Sequence, residues 1–489
     1  MDRQTGNREL ATSAVPPLRV LYLAPPSPRG RALAAQSFIE EEIQGIRAWQ
    51  VMPFILTDEL RRDTVRDGVA VVGLPRLSMV SVVPLLAFAL RHAGVVGRTL
   101  RASWSARRVL HALRLEHAAA SIVRRERIDL VHSHFGWPAG FGGSLAVATT
   151  GTPLVTSIRG TDVLIREDLG YGLRRDKAYD VALRHLFTKA RRVLTATGFM
   201  RRTTEALGAP ARTLRVLDKG VDAETFMPPA DREAVKRALR LSGPVVLAVG
   251  SLKRRKGFEA IIDALASLKA EPWTLVICGS GEEQAALERR AADAGIASRT
   301  VFAGQVSRAD IPTWFAAADV FLHAAELEAA GNVVLEALAA GCAVVCTDSG
   351  GPGEYVRSGE NGLVVPVGDV AALREALATV LGDPALRQRF AREGRRRIEA
   401  SHTYPRMMGE LRAIYDEVVG AGRAAAPLPR REVAAQVGEE RVDGGGVAEH
   451  ISRHEPEDRV VDLAVLGDRQ PGAGAGRRQH VGPGAAEGE

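Results

Sequence analysis

The sequence VVLAVGSLKRRKGF, residues 245–258, starts with a short apolar run and continues into a basic loop that leads to a helix. Similar apolar runs recur along this half of the chain, beginning near residues 274, 299, 319 and 343, with helical stretches between them. Apolar runs this short and continuous are typical of parallel strands that are covered on both faces of a sheet. This half therefore predicts a parallel α/β domain.

The first half of the chain repeats the alternation. A strand-like run begins at Leu18, a helical stretch covers residues 36–48, and further runs lie at 51–56 and near residues 130, 155, 195 and 218. Two Rossmann-like parallel-sheet α/β domains facing a central cleft are therefore predicted. The predicted boundaries are a disordered N-terminus at 1–17, a first domain at 18–225, a linker at 226–244, a second domain at 245–402, a helix at 403–421 that returns toward the first domain, and a disordered tail at 422–489.

The composition fits this plan and excludes other classes. With 489 residues, 46% hydrophobic and 25% charged, the chain is neither fibrous nor wholly disordered. The apolar run at 79–90 contains a proline and is shorter than the roughly 20 residues that cross a bilayer. The N-terminus lacks the apolar region of a secretory signal, which predicts a cytoplasmic protein. Three cysteines stand in apolar runs and are interpreted as core residues, namely Cys278, Cys342 and Cys346.

Positive charge is concentrated in one part of the first domain. The formal net charge is +7, and residues 91–127 hold nine arginines against two glutamates. No aromatic-interleaved, zinc-spacing or helix-turn-helix pattern accompanies them, so no nucleic-acid partner is expected. With the apolar run before it, the segment 79–127 predicts peripheral attachment to an anionic membrane surface, or contact with a phosphorylated acceptor. A solvated helix face is the alternative.

Basic residues follow the apolar run at 245–250. The sequence KRRK at 253–256 stands at the entrance to a helix, where cations beside helix amides suit a diphosphate. The order of residues in a Walker loop is absent. The next loop, CGSGEE at 278–283, lacks the third glycine of a dinucleotide-binding loop. A phosphate-binding loop of another kind is indicated.

Two glutamates are the most specific feature. Glu328 is predicted in a loop after a strand, and Glu336 lies on the following helix within the apolar sequence VVLEALAA. A buried carboxylate needs hydrogen-bond donors, and ribose hydroxyls can supply them. Residues 330–333 would offer backbone amides at the start of that helix. For Glu328, an exposed or helix-capping acid is the alternative.

Together these motifs resemble those of the retaining nucleotide-sugar glycosyltransferases of family 4, which have the two-domain GT-B architecture. The resemblance covers residues 18–420 and rests on LAVGSLKRRKGF, VFAGQV, AAADVFLH, the paired glutamates, AGCAVVCTDSGGPGEYV and NGLVVP. In the first half, VHSHFG, IRGTD, DKGVDAETF and QSFIEEEI look like the exopolysaccharide branch of that family, of the colanic-acid type.

The resemblance implies that the second domain binds the nucleotide-sugar donor. Lys256, together with Arg254 or Arg255, would hold the diphosphate. Glu328 would bind hydroxyls of the donor sugar, and Glu336 would bind the ribose. The remaining donor contacts would be backbone groups, with Gln305 and Val306 at the base and Gly331, Asn332 and Val333 at the sugar or phosphate.

The first domain is the implied acceptor side. His134 would face the transferred sugar after a strand at the cleft, which makes it a catalytic candidate with Lys256 and Glu328; a buried structural histidine is the alternative. Asp162 would order the same cleft or cap a helix. Arg159, a second acceptor-side candidate, stands where the family usually has histidine.

The implied reaction needs no metal and no cofactor. The chain contains no DxD pair, and its arginines and lysine can stabilise the departing diphosphate. We therefore expect a retaining hexosyltransferase that acts on a polysaccharide or lipid-linked glycan precursor. Ala329 and Ala330 replace the usual glycine and phenylalanine, and together with Arg159 they support one alternative, a catalytically silent subunit that binds sugar nucleotides or the membrane. A nucleotide-sugar epimerase of the same architecture is another alternative, although the spacing of the glutamates argues against it.

Overall fold

The computed structural model describes residues 16–24, 37–57, 63–74, 86–87, 89–102 and 106–420. Residues 1–15 of the predicted disordered N-terminus and the whole predicted tail lie outside these ranges, as does most of the apolar run at 79–90. Both sheets belong to one compact unit. None of the helices within the described ranges combines the length and the apolar composition needed to cross a bilayer.

The first sheet has eight strands: β1 Leu18–Leu23, β2 Val51–Thr57, β3 Thr64–Arg66, β4 Val69–Gly73, β5 Leu130–His134, β6 Leu154–Ser157, β7 Arg192–Thr195 and β8 Leu214–Val216. Their spatial order is β3-β4-β2-β1-β5-β6-β7-β8. Every pairing is parallel except that of β3 with β4 at the edge. The strand order therefore reverses between β1 and β5, where a doubly wound sheet opens a crevice.

Helices cover both faces of this sheet. They are α1 Ser37–Arg47, α2 Ala93–Arg101, α3 Ala106–Arg125, α4 Phe141–Thr150, α5 Gly160–Val163, α6 Lys177–Lys189 and α7 Gly198–Ala206. Side chains alternate between the two faces along each strand, so β1 sends Leu21 and Leu23 into one core and Val20 and Tyr22 into the other.

The second sheet has six parallel strands: β9 Val245–Val249, β10 Thr274–Cys278, β11 Thr300–Gly304, β12 Val320–His323, β13 Ala343–Thr347 and β14 Gly362–Val365. Their order is β11-β10-β9-β12-β13-β14, the arrangement of a Rossmann domain. The helices of this half are α8 Arg232–Ala238, α9 Phe258–Ala266, α10 Gln284–Asp293, α11 Ile311–Ala317, α12 Asn332–Ala339, α13 Pro352–Tyr355, α14 Val370–Gly382, α15 Pro384–Ser401 and α16 Tyr404–Val419.

The chain crosses between the two sheets twice, and the crossings pair with each other. The Val221 amide donates to the His402 carbonyl at 2.9 Å, and the Tyr404 amide donates to the Val221 carbonyl at 3.0 Å. Gly220 permits this approach, because a Cβ there would stand 2.7 Å from the Thr403 carbonyl oxygen. The paired crossings form a narrow hinge beside the cleft.

After the second crossing, α16 packs against the first sheet. Its apolar face joins the core that contains Leu18 and Val20. Its Tyr415 hydroxyl lies 2.8 Å from the Tyr22 hydroxyl and 2.6 Å from the His132 Nδ1. The last described helix thus completes the core of the first domain.

The predicted fold class is confirmed, with two parallel-sheet α/β domains. The strand that begins at Val245 ends at Val249, and the helix within the predicted segment 403–421 spans Tyr404–Val419. The strand predicted near residue 218 was wrong in part, because the observed strand ends at Val216 and the residues after it form the hinge. The edge hairpin of β3 and β4, and strand β14, were not predicted.

Candidate functional site

The predicted donor residues gather where the strand order of the second sheet reverses. Strands β9 and β12 are neighbours there, and the loops after them carry Lys256 and Glu328. Because the carboxyl ends of parallel strands meet at one edge, side chains far apart in sequence come together. The Lys256 ammonium forms a direct ion pair with the Glu328 carboxylate.

The basic loop owes its shape to one glycine. Arg254–Lys256 form a single 3-10 turn, and Gly257 then adopts a left-handed φ of 67° before α9 begins. A Cβ on Gly257 would stand 1.9 Å from the Ala324 carbonyl oxygen, so only glycine fits. This close approach brings the basic loop against the loop that carries Glu328.

Glu328 is an ionised, largely buried carboxylate. Its side chain is 15% exposed. Burial raises its pKa, but Lys256, His323 and Arg255 outweigh burial and lower the pKa to about 2. Burial and the Lys256 charge lower the pKa of His323 to about 4, so this histidine is neutral at pH 7. Glu328 can therefore only accept hydrogen bonds, as a group that binds sugar hydroxyls must.

The segment after Glu328 lines a cavity. Gly331 has a left-handed φ of 76° and precedes α12, whose first residues are Asn332 and Val333. Residues 328–333 form one wall of a cavity of about 260 Å³, which we call the inner cavity. Its other lining residues include Lys256 from the same domain and Arg159, Gly160, Met200 and Lys219 from the first domain and the hinge. A helix start faces this space, an arrangement that suits an anion.

Glu336 is held by an arginine that the sequence did not single out. Arg308 Nη1 lies 2.5 Å from Glu336 Oε1, and Arg308 Nε lies 3.0 Å from Glu41 Oε1 on α1. Burial raises the pKa of Glu336, and the Arg308 charge opposes that rise. Arg308 follows β11 in a strand-end loop, which is the signal that could have identified it.

A second, larger cavity adjoins the first. It measures about 670 Å³, and we call it the outer cavity. Glu336, Arg308 and Asn332 line it from the second domain, and residues of α1, the hinge and α16 complete it. Lys219 and Asn332 line both cavities.

Burial, followed by the Arg159 charge, lowers the pKa of Lys219 to about 7. Lys219 too was missed, although it lies in the DKGVD motif.

Gln305 and Val306 do not join the other donor residues. The Gln305 Oε1 accepts a hydrogen bond from the Ser280 hydroxyl at 2.9 Å, and Val306 packs on the core of the second domain. Neither lines the inner or the outer cavity. Their assignment to the base stays a prediction.

On the acceptor side, the structure places Arg159 in front of His134. His134 ends β5 and is fully buried, whereas the Arg159 side chain is 13% exposed and lines the inner cavity. Arg159 Nη2 donates to His134 Nδ1 at 2.9 Å. His134 thus has the buried position that was the alternative for it, and its contact with substrate stays a prediction.

Asp162 has the geometry of a helix cap. Its carboxylate accepts hydrogen bonds from the Arg159 amide at 2.8 Å and from the Gly136 amide at 3.0 Å. Burial raises its pKa to about 7, against the effect of these two bonds. Asp162 orders the loop that carries Arg159.

The two domains touch around the inner cavity. The Thr197 hydroxyl donates to the Ala329 carbonyl at 3.0 Å. The first two amides of α7 donate to the Glu354 carboxylate of the second domain at 2.7 and 2.5 Å. A Cβ on Gly160 would lie 2.8 Å from the Ala329 Cβ. Ala329, where the family usually has glycine, is therefore accommodated by a glycine across the cleft.

Within the described residues, one group of side chains has ligand atoms close enough together for a metal ion: Glu42, His132 and His134. Both ring nitrogens of His132 already have partners, the Tyr415 hydroxyl at 2.6 Å and the Ser157 hydroxyl at 2.9 Å. The Arg159 guanidinium also contacts the group. A cation at this position and occupied ring nitrogens do not suit a metal site.

Comparison with known proteins agrees with this geometry. Residues 230–397 match the model of "Glycosyl transferases group 1" and residues 58–225 match "Glycosyltransferase Family 4". A GDP-mannose-dependent monoacylated alpha-(1-6)-phosphatidylinositol monomannoside mannosyltransferase of Corynebacterium glutamicum is 30% identical over 308 residues, 60% of this chain and 77% of that protein. The chain belongs to glycosyltransferase family 4. This family 4 protein is also 40% identical, over 151 residues, to the lipopolysaccharide core biosynthesis glycosyltransferase LpsE of Rhizobium meliloti.

The matches differ in how much they cover. The LpsE alignment spans 31% of this family 4 chain and 43% of LpsE, so this chain spans about half the length of such curated relatives. Among solved structures, HepE of Anabaena in complex with UDP has a TM-score of 0.64 at 19% identity and covers 82% of this chain and 100% of HepE. The fold of this family 4 protein is GT-B.

Proposed function

We propose that this chain is a retaining glycosyltransferase that transfers a hexosyl residue from a nucleotide-diphosphate sugar to a hydroxyl group of a glycan. The observation that carries the proposal is the Lys256–Glu328 pair at the reversal point of the second sheet, inside the inner cavity and beside the start of α12. The pair sets a cation for a phosphate next to an acceptor for sugar hydroxyls. The pair would thereby bind the diphosphate and the sugar of the donor.

Transfer of the sugar requires departure of the nucleoside diphosphate. Negative charge grows on the leaving phosphate, and Lys256 with Arg255 and the amides of α12 would stabilise it without a metal. One preorganised donor of this kind contributes about 3 kcal/mol. Such donors act strongly in a cavity from which closure of the two domains excludes water. Retention would follow if the acceptor hydroxyl attacks from the face that the diphosphate leaves.

The ribose would bind at Glu336, and this requires a change of partner. In the structure the carboxylate is neutralised by Arg308. A ribose that donates two hydroxyls to Glu336 would displace the guanidinium, or share the carboxylate with it. The donor would then extend from the inner cavity into the outer cavity past Asn332, which lines both.

The acceptor is proposed to be a polysaccharide or lipid-linked glycan, as in the exopolysaccharide branch. The relatives support a lipid-linked class, because their names refer to the lipopolysaccharide core and to phosphatidylinositol mannosides. Their names also include mannosyl donors with GDP, whereas HepE was solved with UDP. The mannosyltransferase names and the HepE complex with UDP-glucose support a hexosyl donor.

A membrane surface is the proposed location of the acceptor, on the cytoplasmic side. Leu90 and Leu100 are 77% and 42% exposed, and exposed arginines stand beside them, among them Arg91 and Arg98. Apolar tips between basic residues are typical of a helical segment that lies on anionic lipid. Flotation with phosphatidylglycerol vesicles at low salt tests this point. Recovery of all protein away from the vesicles would exclude it.

The donor test begins with thermal-shift measurements on UDP-, GDP- and ADP-sugars, without and with magnesium or manganese. We expect one nucleotide to stabilise the wild type in the absence of metal, and Glu336→Ala to lose the shift. Release of nucleoside diphosphate with that donor then measures turnover. A shift without any turnover would support the silent subunit instead, and a shift that needs metal would exclude the metal-independent mechanism.

A further inference from the structure

Glu42 is a buried carboxylate that is not among the predicted donor residues. It faces His134 and Arg159, and Arg159 lines the inner cavity. It lies on α1, and its side chain is 1% exposed. Three basic atoms surround it: His134 Nε2 at 3.4 Å, Arg159 Nη2 at 3.6 Å and His132 Nδ1 at 3.9 Å. Among the described residues, Glu42 Oε1 and His134 Nε2 have no hydrogen-bond partner, and they face each other.

The contacts of His134 determine which of its nitrogens carries the proton. Arg159 is a donor only, so His134 Nδ1 must accept its hydrogen bond. Burial, and then the neighbouring histidine and cations, lower the pKa of His134 well below its usual range, so the ring is neutral. Its proton therefore lies on Nε2 and points toward Glu42 Oε1. The 3.4 Å separation is longer than a normal hydrogen bond, but the charge and the dipole attract each other.

The same arrangement holds Arg159 in place. Its backbone amide donates to Asp162, and Nη2 of its guanidinium contacts both His134 and Glu42. Burial lowers the pKa of Arg159, and Glu42 and Asp162 oppose that change. The guanidinium thus stays charged at the wall of the inner cavity, across from Lys256 and Glu328.

We infer that Glu42 is a positioning residue. Both by its own contact and through His134, it holds the Arg159 guanidinium toward the transferred sugar and the acceptor oxygen. This inference rests on the proposed function. Arg159 then provides, from the first domain, a charge that stabilises the sugar-transfer step, and His134 supports it from behind without touching substrate. Donor binding, which uses the second domain, does not depend on Glu42.

The test is a double-mutant cycle on the full chain, with UDP-glucose and GDP-mannose as probes. Nucleoside diphosphate release gives the rate, titration calorimetry gives the donor affinity, and thermal unfolding reports the fold. We expect Arg159→Ala to slow release roughly 10²-fold or more, and Glu42→Gln to slow it roughly tenfold or more, each with little change in donor affinity. Because Glu42 acts through Arg159, Glu42→Gln should add almost nothing in the Arg159→Ala background.

Two further variants complete the test. Glu40→Gln removes the same charge from the same helix and should keep the wild-type rate. Glu42→Asp keeps the charge and should recover part of the rate, and it replaces Glu42→Gln in the cycle if that variant does not fold. Additive losses, an unaltered rate in Glu42→Gln, or one equivalent of bound metal in the purified protein would each overturn the inference. If the wild type binds none of the UDP-, GDP- and ADP-sugars of the thermal-shift measurements and releases nothing, the proposed function fails first, and the inference falls with it.

Discussion

Lys256→Met removes one charge and nearly keeps the length of the side chain, so it can separate the chemistry of the site from its stability. Glu328 would lose its closest cation. Its remaining neighbours would be Arg255 at 3.9 Å and the neutral His323 at 3.8 Å. A largely buried carboxylate left with distant partners destabilises the folded state.

The size of the effect follows from the pKa of Glu328. The folded-state value of about 2 lies below the ordinary value of 4.5. At about 1.4 kcal/mol for each pKa unit, this difference, which is the net effect of burial and the surrounding charges, contributes about 3 kcal/mol of folding free energy. Because the folded pKa is the lower one, this stability is present above pH 4.5 and is lost as the pH falls toward 2. Lys256→Met should remove about 1–2 kcal/mol at pH 7, since Arg255 remains, and lower the Tm by about 3–6 °C.

The same substitution should lower kcat by about 10²–10³-fold, because one donor to the leaving diphosphate is lost. The decisive variant is Lys256→Met/Glu328→Gln, which should recover most of the Tm and none of the activity, since the orphaned charge is gone but the diphosphate still lacks its cation. Lys269→Met, an exposed lysine far from the site, is the control. Recovery of activity together with Tm, or a Lys256→Met protein as stable as the wild type, would refute this reasoning.

Three further substitutions test other contacts. Arg308→Gln leaves Glu336 buried without its cation, and because the folded pKa of Glu336 is already raised, stability should be lost as the pH rises through that pKa. The Tm deficit against the wild type should therefore grow as the pH rises above the ordinary value of 4.5, and a constant deficit would contradict this. Glu354→Gln weakens the bonds from the two α7 amides across the cleft, so the radius of gyration from solution scattering should increase, and an unchanged radius would count against a role in closure. Gly220→Val should cost roughly 1–3 kcal/mol in urea unfolding, because its side chain would meet the Thr403 carbonyl; wild-type stability would show that the hinge yields.

Much of the fold could be predicted because its strands are buried on both faces. Such strands read as continuous apolar runs, and β9 and β13 are examples. The strand β3 could not be found in this way, since all three of its residues are exposed. The strand β14 is only partly buried and short, and β8 ends where the hinge begins. Periodicity detects burial, so it misses strands at an edge.

The site was predictable only where a charged side chain lies in the loop after a predicted strand. Lys256 and Glu328 both follow strands, and the rule for parallel sheets brings them together. Glu42 lies within three consecutive glutamates, which resemble a solvated helix face in sequence, and only the packing of α1 shows that this one is buried. The depth of His134 behind Arg159 likewise depends on tertiary structure. The sequence indicates which loops reach the cleft, but it does not indicate which side chain of a loop faces the cavity and which is buried behind it.

The position of α16 bears on how the chain matures during synthesis. This helix supplies Met408, Leu411 and Tyr415 to the core of the first domain, yet the whole second domain is synthesised before it. Until α16 emerges from the ribosome, α1 covers only part of that face of the first sheet, whereas the second sheet already has its own helices. The half made first is therefore expected to reach its native, protease-resistant state last, and a chaperone that protects apolar surface would act on it in that interval.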